Sequence, residues 1–350
     1  MTDNSNPGTL SDLISQARFK LRWFDLGRRV RSVPRSAADA FEAGDAPWPH
    51  PYLREAWVGL LLWPEEGGEP AVWFLRLPLD EQGKLQFAAR DNFLALLNRK
   101  LVAGDGSDAG EQLGSALSES GLVYSPPPER QATFHAHAAR LLRRAPSAHY
   151  ENVLAYLRAP DSGTWGHLGL QGIADVSARW EEHRQLIDEA LPQIAAPVFV
   201  SLCQCLESEA IDHRLAAAII RRADAELQQQ QPEAAILAAA VRGISFSPAR
   251  GLRHEFLQRL LHSDRARAGE TLAAMGSRCP EDLQEPALAA LWLTALAESQ
   301  KQETFNLLLA DLMFLPATRT ALLDALRSPE RPEALARAFG VFLHGPQPTH

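Results

Sequence analysis

From Gln131 to the end of the chain, apolar side chains recur every three or four residues in short segments. Pro, Gly and Ser/Asp clusters cut one segment from the next. That period marks amphipathic helices, and the cuts keep each helix to a few turns. Phe305, Leu308, Leu309, Leu312 and Met313 fall on one stripe, as do Leu288, Leu291, Trp292, Ala295 and Leu296, and Phe256, Leu257, Leu260 and Leu261. Alanine supplies 41 of the 220 residues from Gln131 onward, and Ala with Leu, Arg, Glu and Gln favours helix. Short helices on short connections pack antiparallel to their neighbours. A dozen of them in succession predicts an all-α array over 131–343, a HEAT-like solenoid of helical hairpins recurring every ~35–45 residues.

The first hundred residues read differently. Five of the eight tryptophans lie in the first 75 residues, and aromatic and β-branched side chains suit a pleated, half-buried surface. After a polar tail (1–8), Thr9 or Ser11 caps a short helix reaching about Lys20. Leu21–Arg29 reads as a strand and Val33–Ala43 as a helix. AWVGLLLW (56–63) and AVWFLRLPL (71–79) flank PEEGGEP, whose Gly67-Gly68 pair permits a hairpin turn. Both runs are apolar on both faces, which calls for cover on both sides. A further strand is expected at Lys84–Phe87, then a helix over 88–102 with Phe93, Leu94, Leu97 and Leu101 on one stripe. The expected organisation is a small α/β domain with a β-meander over 9–102, a linker over 103–130 holding a possible short helix near 108–119, the array, and a tail over 344–350. The fold class is α+β followed by all-α, mostly α overall.

Charge and cysteine content narrow the function classes. The net charge is -8, so bulk charge does not make the chain a basic nucleic-acid module. No apolar run approaches the ~20 residues of a membrane helix, and the first twenty residues have no signal-peptide pattern. Cys203, Cys205 and Cys279 are odd in number and form no C-x-x-C, which suits a reducing cytoplasm.

The strongest candidate for binding chemistry is Phe24-Asp25-x-Gly27-Arg28-Arg29. Seven basic residues stand against one acid between Arg18 and Arg35. Asp25, Arg28, Arg29 and Arg31 could hold a phosphate or carboxylate, with bidentate guanidinium bonds and Asp25 orienting one arginine. The plainer reading is an exposed edge strand kept from aggregating by charge. Arg90 belongs to a second cluster with Asp80, Glu81 and Asp91, which turn and helix-start chemistry also explains. No catalytic residue and no metal ligand set emerges. His135-x-His137 and Cys203-x-Cys205 diverge on a helix, and His254-Glu255-x-x-Gln258 lacks the second histidine of a zinc-protease helix. Gly163, Gly166, Gly169 and Gly172 recur between helical flanks, which suggests close packing rather than a phosphate loop.

At FDLGRR (Phe24–Arg29), PYL (Pro51–Leu53), Ala56-Trp57, VWFLRLPLDEQG (Val72–Gly83) and AARDNFL (Ala88–Leu94), the chain resembles a proteobacterial family, domain of unknown function 3549. The resemblance spans nearly the whole chain and is densest in the first 100 residues. It implies a stand-alone bacterial protein and no established activity, substrate, cofactor or site.

These readings together predict a cytoplasmic, non-enzymatic binding or scaffold protein with no cofactor and no membrane span. It would engage a protein partner through the helical array, the Arg-rich first domain, or both. The alternative is an RNA- or DNA-binding protein using the Arg-rich domain, and an enzyme of unrecognised type is the third possibility.

Overall fold

The computed structural model describes residues 8–16, 18–88, 90–92, 94–96 and 119–345. The protein is mostly helical, with one small four-stranded antiparallel sheet near its start. The chain divides into two compact units, Met1–Pro127 and Pro128–His350.

In the first unit, helix α1 (Leu10–Gln16) starts at Thr9, whose Oγ1 accepts from Asp12 N–H at 3.0 Å. Strand β1 covers Phe19–Asp25, β2 is the two-residue Arg31–Ser32, and α2 runs Arg35–Ala43. The long hairpin is β3 (Glu55–Pro64) and β4 (Ala71–Pro78). Strand order is β2-β1-β3-β4. Register pairs Phe19 with Pro64 and Asp25 with Val58 across β1 and β3, and Glu55 with Pro78 and Leu62 with Ala71 across the hairpin. Trp23, Phe41 and Trp48 form an aromatic core, with Trp48 lying 6.2 Å from Trp23 and 4.9 Å from Phe41 of α2. The buried Glu42 ties α2 to α1, accepting from Leu10 N–H (2.8 Å), Ser11 N–H (3.3 Å) and the Ser11 hydroxyl.

Four expectations change here. The helix expected to reach about Lys20 ends at Gln16, and Phe19 and Lys20 already belong to β1. The strand expected over Leu21–Arg29 stops at Asp25. The strand expected at Lys84–Phe87 is only an isolated bridge between Leu79 and Leu85. Residues 122–124, assigned from composition to the linker, run beside β4, where Arg76 N–H donates to Leu122 O (2.7 Å) and Tyr124 N–H to Phe74 O (3.2 Å). Backbone pairing, an isolated bridge of Val123 to Leu75, holds these residues beside the sheet, and such pairing leaves no trace in composition. The loop 103–110, the short helix near 108–119 except its last residue, and Phe93, Leu97 and Leu101 lie outside the described residues. Leu94 is described and buried.

The second unit is a run of helices: α3 (Pro128–Leu141), α4 (Tyr150–Arg158), α5 (Leu170–Ser177), α6 (Trp180–Ala190), α7 (Ala196–Leu206), α8 (His213–Leu227), α9 (Ala234–Ile244), α10 (Arg250–His262), α11 (Gly269–Arg278), α12 (Pro286–Ser299), α13 (Gln302–Met313), α14 (Pro316–Arg327) and α15 (Glu333–His344). Starts follow local chemistry. Asp212 caps α8 by accepting from Arg214 and Leu215 N–H, and Glu285 caps α12 by accepting from Leu288 N–H, with Pro286 in the first turn. Odd helices pack on odd, in the order α3, α5, α7, α9, α11, α13, and even helices on even from α4 to α14. One continuous apolar core runs between them, from Ala132 to Ala338. The glycine run yields two 3-10 turns, and Gly169 and Gly172 make room for His149, whose carbonyl oxygen would lie 2.5 Å from a Cβ on Gly172.

Trp292 shows how tight this core is. It is fully buried, donates Nε1–H to Leu272 O at 3.0 Å, and lies so close to Gly276 that a Cβ there would meet Cζ2 at 2.8 Å. Trp292→Ala opens a cavity and removes the Nε1–H bond to Leu272 O, and should cost roughly 3–5 kcal/mol. Urea unfolding of the full chain checks this, and an unchanged midpoint would show that the site tolerates the void.

Candidate functional site

The residues singled out in the sequence meet where β1 ends. Asp25 is fully buried. Its Oδ1 accepts from Trp48 Nε1–H at 3.2 Å and from Gly27 N–H at 3.3 Å, so the carboxylate turns the chain out of the strand. Gly27 is closely packed, since a Cβ would stand 3.0 Å from Tyr52 Cβ and 3.4 Å from Asp25 Oδ1. The segment that meets this loop is APWPHP (46–51), which its prolines hold extended. Arg28 Nε–H donates to Pro51 O at 3.0 Å, and its guanidinium lies 5.4 Å from the Tyr52 ring centroid. Arg31 donates from Nη1 to His50 Nε2 at 3.3 Å.

This geometry corrects the picture of a solvent-exposed, arginine-studded strand. Arg28 is 4% exposed and Arg29 1% exposed. A guanidinium leaves water only where hydrogen bonds and charge replace its hydration, so both arginines are built into the unit. Burial pushes the His50 pKa down to about 3, helped by the charges of Arg31, Arg29 and Arg28. His50 is therefore neutral at physiological pH and accepts the Arg31 hydrogen bond. Guanidiniums around a neutral imidazole hold anions or carbonyls. They do not shuttle protons, because neither group changes charge near neutrality.

Arg90 is held elsewhere. It donates from Nη1 to Glu42 O (2.7 Å) at the end of α2, pairs with Asp91 (2.7 Å) and lies 4.4 Å from the Phe87 ring centroid. A cation there complements the negative end of the helix. Asp80 is a turn residue, its Oδ1 accepting from Gln82 and Lys84 N–H. Cys203 and Cys205 are buried, and burial raises both thiols, Cys205 to about 12. They are therefore protonated and pack as small apolar groups. Among the described residues no group of three His, Cys, Asp or Glu could hold a metal ion, and no helix is long and apolar enough to cross a membrane.

The second unit holds a constellation that motif reading missed. Glu207, just past α7, is buried and receives Arg278 Nε–H (2.8 Å), Arg130 Nη2–H (2.8 Å) and Arg242 Nη1–H (3.2 Å). Burial alone would raise its pKa, but the three guanidiniums outweigh that and hold it at about 2. Beside it His137 Nε2 lies 2.9 Å from Glu209 Oε1. Farther along, Arg253 binds Asp282 through two bonds of 3.1 and 3.0 Å and also reaches Ser247 O. No local motif announces these groups. The signal is spacing, since Arg242 and Arg278 lie 35 and 71 residues from Glu207.

Architecture, not a chemical motif, thus defines the class: a small antiparallel sheet with a buried arginine loop, followed by a long helical part. The chain belongs to the family described as Protein of unknown function (DUF3549), which matches residues 6–343. No curated protein and no solved structure matches it.

Two outcomes test these assignments. His50 titrates near 6.5 when unfolded and near 3 when folded, so the stability it lends at neutral pH is lost as pH falls through that interval. Glu207 falls from about 4.5 to about 2 on folding, so its share is lost between those values. The His50 ring resonances should not titrate between pH 5 and 8. Glu207→Gln should cost about 3 kcal/mol at neutral pH and flatten the acid limb below pH 4.5. Separately, Arg28→Ala with Arg29→Ala should lower the thermal midpoint of the first unit by many degrees, because buried partners are left uncompensated. A folded double variant with an unchanged midpoint would return both arginines to the list of surface contacts.

Proposed function

We propose that this chain is a non-enzymatic, cytoplasmic binding or scaffold protein whose helical part is a HEAT-like stack of hairpins engaging a protein partner. One observation carries the reading: polar contacts between the even helices and the turns that flank them recur across about one hairpin length, 28 to 36 residues. Arg221 of α8 reaches Asp188 of α6 across 33 residues, and Arg259 of α10 reaches Asp224 of α8 across 35. Arg265 donates to Gln229 O across 36 residues. A recurring hairpin of that length produces such a ladder, and stacked hairpins present long rows of helix faces suited to extended protein surfaces. The open depression of about 540 Å³ beside α10, lined by Leu227, Glu255, Gln258, Arg259, His262 and Ser263, is a shallow contact surface rather than an enclosed substrate site. Three free, buried cysteines fit a reducing compartment.

The burial of Arg28 and Arg29, with Arg31 turned onto His50, weighs against the nucleic-acid alternative. Phosphate-gripping arginines must reach solvent, and the net charge of -8 repels a polyanion. Co-purification with the full chain tests the proposal, with and without nuclease, followed by carboxyl-reactive cross-linking. A protein partner should survive nuclease and link to exposed acids of the even helices such as Asp188, Asp224 and Glu255. Release of all partners by nuclease, or links confined to residues before 128, would overturn it.

A further inference from the structure

Among the described residues, part of one edge of the sheet has no strand beside it. β2 covers only the end of β1: Phe24 faces Ser32, Asp25 faces Arg31, and Val33 N–H donates to Trp23 O at 2.8 Å, after which Pro34 and α2 carry the chain away. The antiparallel ladder fixes which backbone groups this exposes. Glu65 N–H donates to Arg18 O (3.1 Å) and Leu26 N–H donates to Trp57 O (2.7 Å). Lys20, Arg22 and Phe24 therefore turn their backbone groups toward β3, while Phe19, Leu21 and Trp23 turn theirs to the opposite edge. Among the described residues no strand pairs with Phe19 or Leu21 on that side.

The flank of this edge is basic. Lys20 is exposed and Arg22 half-buried, and neither forms an ion pair among the described residues. Arg18 and Arg35 make only long, exposed pairs, each at 3.6 Å, with Glu66 and Asp39. Such pairs hold a side chain weakly. Lys20 and Arg22 share one face of the sheet about two residues' rise apart, roughly 7 Å. Like charge keeps a second copy from pairing edge to edge, and the same charge attracts an acidic strand.

The geometry points to strand addition at this edge: Phe19–Trp23 of β1 takes an extended acidic segment of a protein partner. The segment's backbone bonds to Leu21 and Phe19, and carboxylates at alternate positions stand beside Lys20 and Arg22. The site lies in the first unit and goes beyond the reading of the helical array, sharing with it only that the partner is a protein. Loss of one leaves the other standing, because the array is tested by links to its even helices and this edge by a synthetic peptide.

The probe is a capped, fluorescein-labelled peptide of alternating Glu and Val, titrated against the full chain by anisotropy. Three comparisons accompany it: the peptide with its central Val N-methylated, the peptide with Lys for Glu, and the double variant Lys20→Glu, Arg22→Glu. The acidic peptide should bind, and each comparison should weaken binding at least tenfold. In the unmodified protein the peptide should slow hydrogen exchange of the Leu21 amide at least tenfold and the N-methylated peptide should not, a readout that does not depend on the variant folding. Absence of binding would overturn the proposal. So would equal binding of the N-methylated peptide, which would mean charge attraction without strand pairing, or equal binding of the Lys peptide, or Leu21 exchange that the acidic peptide leaves unchanged.

Discussion

The helical part depends on one carboxylate. Glu207 follows α7, and the guanidiniums that meet it come from the start of α3, the last turn of α9 and the end of α11. An ion taken out of water loses several kcal/mol of hydration, and mutual attraction recovers this only when every partner is in place. Such a cluster adds little net stability over an apolar core. What it contributes is selectivity, because a helix out of register leaves a charge buried without its partner. Four odd-numbered helices are thereby locked to one relative height, and the apolar stripes, which tolerate sliding far better, fill in behind them. Arg253 and Asp282 repeat the device farther along, fixing the turn after α9 to the turn after α11.

Arginine outnumbers lysine 31 to 4, and much of that excess is consumed internally. Arg140, Arg222, Arg265 and Arg319 each donate to a carbonyl at or just past the end of a helix, namely Ala178, Pro192, Gln229 and Met313. Arg90 does the same at the end of α2. The last carbonyls of a helix lack partners within it, and a long planar donor reaching over from a neighbour satisfies them. A lysine would bring the charge without the fixed fork of donors. In a chain of many short helices, ends are numerous, so an arginine-rich composition follows from the architecture and is not evidence of a nucleic-acid ligand.

How much was legible in the sequence follows from the range of each interaction. The stripe through Phe305, Leu309 and Leu312 and the turn residues Gly67-Gly68 act within a few residues, and the helix and hairpin they announce are present. The FDLGRR cluster was legible as unusual, because Asp and Gly interrupt an apolar run. Its burial was not legible, since that depends on Trp48, His50 and Pro51, some 23 residues away and read only as a proline-rich loop. The arginines of that cluster do meet around His50; Arg90, which the sequence grouped with Asp80, Glu81 and Asp91, is held instead against the end of α2. Glu207 was invisible to motif reading because its partners lie 35, 71 and 77 residues away. A search for acids and arginines separated by multiples of one hairpin length would have found two of the three.

That same spacing separates what specifies the fold from what is free to serve a partner. An ion pair buried between odd helices, as at Glu207, cannot open to meet a ligand without exposing an uncompensated charge, so it belongs to the scaffold. The pairs on the even helices behave differently. Arg221 with Asp188, and Arg259 with Asp224, stay roughly two-fifths to two-thirds exposed. Exposed pairs of this kind hold their partners by less than about 1 kcal/mol, so an incoming surface can trade them at almost no cost. A row of weakly committed, alternating charges on a rigidly registered backing combines exchangeable contacts with fixed spacing. On the proposed reading, that combination lets the even face select a partner by the period of its charges, while the odd face keeps the ruler from sliding.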